Sequence, residues 1–312
     1  VNGGFFNLLG DGNGYPDGMV VESGEVISAF SEFNKYGDVM SSFHIDEQNN
    51  VMYDFWKSEI MLITPSGKTI SVTQYNKPSR LSYNDFTILD KKWNGVSIGQ
   101  TEEYPDIVEM VVDKGEVVEI REGQPAVEIS ANGYVVVTRQ DGGMLLKDNF
   151  KPGDSVELDI TTNPDWSNIK TSVAGSSILV KDGRIPPAFS YDVAYLSKKQ
   201  PRTVIGSSKD GKQLFLVTID GRLNSSIGMT QMETAEFMLQ LGAYNALNLD
   251  GGGSTTMVAR SQGSNALEMI NNPSEGIARA VANAIGVFSV APPAPLDGLI
   301  IDTEDKNVFV NT

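Results

Sequence analysis

The chain contains no cysteine, and His44 is the only histidine in its 312 residues. These gaps remove disulfides, thiolate nucleophiles, cysteine-ligated zinc and any site built on two imidazoles. Cationic residues are also scarce: 24 lysines and arginines face 40 aspartates and glutamates, for a formal net charge of −16. Such a balance argues against a nucleic-acid partner and against adhesion to an anionic membrane, since both need a cationic surface. No apolar run approaches the ~18 residues that cross a bilayer as a helix, so no transmembrane segment is expected. An anionic substrate would have to meet its arginines in a local pocket.

What remains is a globular composition. Apolar residues make up 40% of the chain, and 31 glycines and 14 prolines imply many turns. Val1-Asn2-Gly3-Gly4-Phe5-Phe6 reads as the middle of a motif, so a trimmed start is expected. Asp11 to Gly18 superficially suggests a calcium loop. Tyr15 and Pro16 stand where that loop needs a ligand and a glycine, so a surface turn is expected instead.

From residue 31 to 180 the signals are almost entirely β, with no helix-period segment of useful length. Glu59–Thr64 and Thr69–Thr73 flank Pro65-Ser66-Gly67 as a hairpin. Ile107–Val112 and Glu116–Ile120 do the same around Asp113-Lys114-Gly115. Gly133–Thr138 and Ser155–Thr161 are further strands. His44, with no second histidine or cysteine to support it, reads as an ordinary edge or surface residue. Later, Arg202–Gly206 and Leu214–Asp220 form a strand pair joined at Lys209-Asp210-Gly211. Thr230-Gln231-Met232-Glu233 matches a capping box, in which Thr230 caps a helix and Glu233 reaches back to the free N–H. Met232, Ala235, Met238, Leu239 and Leu241 would be its buried face, and Gly242 its end. Val281–Phe288 is expected as a final strand. The fold class is therefore α+β, with mixed, largely antiparallel sheets and a few helices in one large domain. Ala291-Pro292-Pro293-Ala294-Pro295 reads as a stiff linker to a tail or further module over 291–312.

The chemistry is expected at Asn248-Leu249-Asp250-Gly251-Gly252-Gly253-Ser254-Thr255-Thr256. A short buried strand, Asn245–Leu249, would end at a carboxylate. The glycines would let the backbone turn tightly and offer its N–H groups as an anion nest. A glycine-rich turn with Asp250 as its Asx residue is the plainer reading of the same residues. Asp220, at the end of its own strand, poses the same choice between turn and site.

Several separated pieces occur in one order: Asn2-Gly3-Gly4-Phe5-Phe6, Gly175 with Leu179–Gly183, Pro201-Arg202-Thr203, Asp220-Gly221-Arg222, Gly228 with Thr230 and Glu233, Asn248–Ser254, and Arg279 with Asn283. Taken together they resemble the phosphodiester glycosidase family, whose members include an enzyme that removes N-acetylglucosamine from a phosphodiester-linked mannose. The resemblance covers residues 1 to about 290. It implies a hydrolase of a sugar-1-phosphodiester, exported by a bacterium or held at its surface, with an extracellular or envelope glycan as substrate. Histidine often precedes the Pro-Arg-Thr of the family, and here Gln200 stands there, so no imidazole role carries over. Ala278 and Ala280 flank Arg279 where an acidic residue and proline are common.

A sugar phosphodiester needs cations for its phosphate and carboxylates for its sugar. Arginine's planar fork pairs two phosphate oxygens, which makes Arg202 and Arg279 the phosphate candidates, with the backbone of Gly251, Gly252, Gly253, Ser254 and Thr255 beside them. Asp250, Glu233 and Asp220 are the candidates for acid–base work or for stabilising positive charge on the sugar. Asn2 and Asn248 could bond sugar hydroxyls or phosphate, or simply brace loops. No cofactor is required. Calcium or magnesium would suit the oxygen-rich composition, but no ligand spacing assigns one. A non-catalytic glycan-binding module and a metal-dependent phosphodiesterase attacking at phosphorus are the competing functions.

Overall fold

The computed structural model describes residues 1–8, 14–30, 41–78, 81, 85–190, 197–260 and 266–290. The expected linker and tail, 291–312, and residues 11–13 of the Asp11–Gly18 stretch lie outside these residues; Gly14–Pro16, expected in a surface turn, is a strand paired with Phe6–Leu8, and Tyr15 is buried.

One end of the molecule is a stack of sheets. A three-stranded sheet orders Glu157–Asn163, Lys57–Ile63 and Thr69–Val72, all antiparallel. Its strands alternate: Ile60, Leu62, Ile70 and Val72 are buried while Lys57, Glu59, Thr69 and Ser71 are exposed, the period of two that a half-buried strand requires. The buried faces pack with Val26, Ile88, Met110 and Val136 of a ten-stranded sheet. That sheet runs from the Glu116–Glu122 edge through Ile107–Asp113, Gly133–Arg139, Thr87–Asp90, Gln74–Tyr75, Glu25–Phe30, Val20–Glu22, Ile169–Ala174 and Ser41–Asp46 to Val51–Phe55. Its pairs are antiparallel except Thr87–Asp90 with Gln74–Tyr75, which is parallel. The mixed, largely antiparallel α+β class follows directly.

The far end of the large sheet has two different faces. Phe43, Tyr53 and Val173 point toward Ile178, Ile205, Leu247 and Leu249 of a second, four-stranded sheet. This sheet orders Ile178–Val180, Asn245–Asn248, Arg202–Ser207 and Leu214–Ile219. Its other face, with Val180, Val204 and Ala246, is closed by Ala235 and Met238 of helix α2, Gln231–Gln240. Full burial of each such aliphatic side chain contributes about 1.5–3 kcal/mol, so the site strands are anchored from both sides.

The capping box of α2 is present as the sequence predicts, with Thr230 accepting from the Glu233 N–H and Glu233 accepting from the Thr230 N–H. Gly242 follows the helix at φ +91°, a left-handed conformation that glycine adopts without steric cost. Its buried face differs from expectation. Gln231, Thr234, Ala235 and Met238 are buried, whereas Met232 and Leu241 are exposed.

Three further expectations change. A helix α1, Gln140–Asn149, interrupts the β region. Its buried positions include Gly142 and Gly143, so no apolar stripe marks it. A β-carbon on Gly143 would sit 2.5 Å from Val108 Cγ2, and one on Gly142 would strike Thr138 Oγ1. Glycine is what lets this helix lie on the sheet. His44 is fully buried in an interior strand, between Ile169–Ala174 and Val51–Phe55, and not at an edge or surface. Residues 281–288 form no strand. They make a single bridge, Asn2 with Ala284, and Phe288 is exposed.

Candidate functional site

The Asn245–Asn248 strand delivers Asp250 to a place where three segments meet. Asp250 N–H donates to Gly3 O at 3.1 Å, Leu249 N–H to Thr203 O at 2.8 Å, and Gly252 N–H to Pro201 O at 3.0 Å. Asn2 is the knot. Its Nδ2 donates to Asp250 O at 2.7 Å, and its Oδ1 accepts from Thr203 Oγ1 at 2.7 Å and from the Thr256 N–H at 3.2 Å. Asn283 Oδ1 accepts from the Gly4 N–H at 2.8 Å. Asn248 is buried and donates to Ser176 Oγ and to Leu249 O, both at 2.9 Å. Asn2 and Asn248 thus brace the loops that carry Asp250.

The glycines are needed for packing. Gly252 has φ +61°, and a β-carbon on Gly251 would lie 2.6 Å from Pro201 O. The backbone N–H groups turn inward: besides Gly252, Ser254 N–H donates to Gly251 O and Thr255 N–H to Gly252 O, and the Gly251 N–H reaches the Asp250 carboxylate. Ser254 and Thr255 are themselves buried. The expected nest for a phosphate is therefore largely occupied by the protein's own acceptors.

Asp250 is partly open to solvent, yet the surrounding protein removes enough water to push its carboxyl up to about 6. Burial is the dominant cause. The Ser254 hydroxyl, the Gly251 N–H and the positive charge of Arg279 pull the other way without cancelling it. A carboxyl near 6 can hold or release a proton at ordinary pH, which is what acid–base catalysis requires.

Arg279 belongs to this site. It is exposed, it acts on Asp250 through its charge, and it lies against the α-carbon of Gly253. Its guanidinium is gripped by Glu275, through Nη2 to Oε1 and through Nε to Oε2 at 3.3 Å. Glu275 is thus the carboxylate that joins Arg279 and Gly253, and the sequence alone does not single it out. The only local signal is its i, i+4 spacing to Arg279.

The other predicted residues have their polar groups engaged by the scaffold. Arg202 is fully buried, with Nε donating to Met229 O at 3.0 Å and Nη2 to Lys198 O at 2.8 Å. Its neighbour Thr203 points at Asn2 and Thr255, so strand alternation turns Arg202 to the opposite face. Glu233 serves the α2 cap, and the Lys199 ammonium 2.8 Å away, together with the Thr230 N–H, holds its carboxyl down at about 2. Asp220 binds the incoming loop: it accepts from Asn271 Nδ2 at 3.1 Å, from the Asn272 N–H at 3.0 Å and from Asn272 Nδ2 at 3.0 Å. Asn271 also donates to Thr255 O at 3.1 Å, which ties this loop to the Asp250 turn. Among the described residues no three histidine, aspartate or glutamate side chains gather as a metal cluster, and no described helix is long and apolar enough to cross a membrane.

Residues 106–288 match the family model for phosphodiester glycosidase. The chain belongs to that family. It is 34% identical over 173 residues to the SPbeta prophage-derived uncharacterized protein YomE of Bacillus subtilis, an alignment covering 54% of this chain and 25% of YomE. It is 46% identical over 57 residues to the N-acetylglucosamine-1-phosphodiester alpha-N-acetylglucosaminidase of Bos taurus, covering 18% of this chain and 10% of that protein. The crystal structure of a putative exported protein from Burkholderia pseudomallei K96243 superposes with a TM-score of 0.69 at 23% identity, over 88% of this chain and 62% of that one. The chain therefore spans only part of each relative's length.

Proposed function

We propose that residues 1–290 form one catalytic unit that hydrolyses a sugar-1-phosphodiester, with N-acetylglucosamine the first sugar to try. The observation that carries this reading is the pairing of a recessed carboxyl, Asp250, with an exposed arginine, Arg279, across the Gly253 backbone. Arg279 holds the phosphodiester through charge-assisted bonds. Water attacks the anomeric carbon as its bond to the phosphate oxygen breaks, giving free sugar and a phosphate monoester. That leaving group is weakly basic, its second pKa lying near ~6, so it needs little help from an acid. Water is the poor partner, and ionised Asp250 takes its proton. Asp220 and Asn2 position the two loops, while Arg202 and Glu233 hold the scaffold beneath them. The similarity to an exported protein's fold and the lack of cysteine suit action outside the cell on an envelope or extracellular glycan.

The test is turnover of an N-acetylglucosamine-1-phosphodiester in oxygen-18 water. Label in the sugar, together with a kcat/KM limb that rises with pH through about 6, is the expected result. Label in the phosphate would mean attack at phosphorus. Stoichiometric glycan binding with no product would mean a recognition module.

A further inference from the structure

We propose that Glu275 is a built-in competitor for the phosphate: it occupies Arg279 when the site is empty and takes the arginine back as the phosphate monoester leaves. This rests on the reading of Arg279 as the phosphate ligand and adds how that ligand is kept from holding its product.

The geometry is specific. Both oxygens of Glu275 engage Arg279, Oε1 at Nη2 and Oε2 at Nε. These are the two edge donors of the guanidinium fork that a phosphate would take in a bidentate contact. Both side chains are more than two-fifths exposed, so the pair is not locked in a core and can exchange partners. The Gly253 backbone sets the pair's position, because a β-carbon there would strike both Arg279 Nη2 and Glu275 Oε1. Glu275 and Arg279 sit four residues apart on a loop that Asp220 fastens through Asn271 and Asn272, so the competitor stays within reach when displaced.

The physical consequence is a trade between grip and release. An incoming phosphodiester must replace an existing charge-assisted pair, so its net gain is the difference between two similar interactions. An exposed ion pair of this kind is worth little alone. A removed carboxylate also removes repulsion of the bound anion. Glu275 therefore weakens phosphate binding and speeds its departure. The same carboxylate keeps Arg279 aligned for the next substrate, which makes Glu275 a positioning residue with a specific cost in affinity.

Binding of inorganic phosphate to the full chain, measured by titration calorimetry, separates the possibilities. Glu275→Gln keeps shape and exposure but lacks the charge, and phosphate should bind about two- to fivefold more tightly, with inhibition by phosphate rising in step and Glu275→Asp restoring the weak binding. Arg279→Gln should abolish binding. If Glu275→Gln binds phosphate no better than wild type while Arg279→Gln loses it, the competitor role is wrong and the phosphate assignment stands. If Arg279→Gln binds phosphate as wild type does, both fall. Matching melting temperatures of wild type and the three variants establish that the comparison is between folded states.

Discussion

His44 and Asp250 are both pushed away from their charged forms by burial, the one within a strand of the large sheet and the other just past a strand of the adjoining sheet, but they do opposite things. His44 is enclosed, stacked on Trp56 with ring centroids 5.6 Å apart and bonded through Nδ1 to Ser172 Oγ at 2.8 Å. Ser172 is also a donor to Phe43 O, which leaves Nδ1 as the protonated ring nitrogen, a neutral tautomer assigned by the network. Its pKa falls to about 4, burial outweighing the nearby charge of Asp54. Asp250 is left a path to solvent, and its pKa rises to about 6. Desolvation is one cause with two outcomes: behind a closed wall it holds a ring neutral, and at a partly open loop it leaves a carboxyl able to exchange its proton near neutral pH.

The sharpest test of that contrast is Asp250→Asn. Turnover should fall by roughly 10²–10⁴-fold, the span of general acid–base contributions. Stability should move the other way. A carboxyl raised in the folded state adds stability below its unfolded pKa of 3.8, and loses it as pH rises through about 6. The ionised carboxylate therefore costs about 3 kcal/mol at neutral pH, much of which the amide avoids. Urea unfolding at pH 7.5 should show Asp250→Asn at least as stable as wild type. A large loss would mean Asp250 is a structural anchor.

His44 carries the reverse slope. Its folded pKa is lowered, so the stability it contributes is present above 6.5 and disappears as pH falls toward about 4, a loss of about 3 kcal/mol across the window. His44→Leu should flatten acid unfolding between those values and leave kcat/KM at pH 7 within about twofold, since surface-remote core swaps of similar volume are tolerated. Loss of turnover in a protein that melts normally would break the division between wall and loop.

A third comparison concerns glycine. In an ordinary exposed helix, Gly→Ala gains ~1 kcal/mol. At Gly143 the new methyl would stand 2.5 Å from Val108 Cγ2, and overpacking costs ~1–3 kcal/mol. The second term wins, so Gly143→Ala should lower the melting temperature with activity per folded molecule unchanged.

These contrasts explain what the sequence could disclose. The hairpins at 57–72, 107–122 and 202–219 and the cap of α2 are local, because turn residues and a four-residue box fix them. The order of separated motifs was enough for the family. Helix α1 was invisible because glycines make its contact face. The burial of His44 depends on a partner strand at Ile169–Ala174, more than 120 residues away. Residue type makes Arg202 a phosphate candidate, but the face it takes on its strand is legible only from the partners of Thr203 across the sheet. Glu275 reaches Gly253 through a loop that has no periodicity, so no pattern announces it.

The smallest expected effect falls on Glu233, which shares the resemblance's motif order with Asp250 but none of its surroundings. Its carboxylate is exposed, ionised down to about pH 2, and already committed to Lys199 and to the Thr230 N–H. A group so firmly charged is a poor proton carrier near neutrality, because its protonated form is scarcely populated there. Glu233→Gln keeps an acceptor for the capping box, so kcat/KM should stay within about threefold of wild type, and the melting temperature should drop only slightly. Thr230→Ala removes the other half of the box and should cost about 1 kcal/mol with turnover again retained. If Glu233→Gln instead abolishes turnover while the fold and its melting persist, the active centre extends to the start of α2. The recessed carboxyl at Asp250 would then be only half of it.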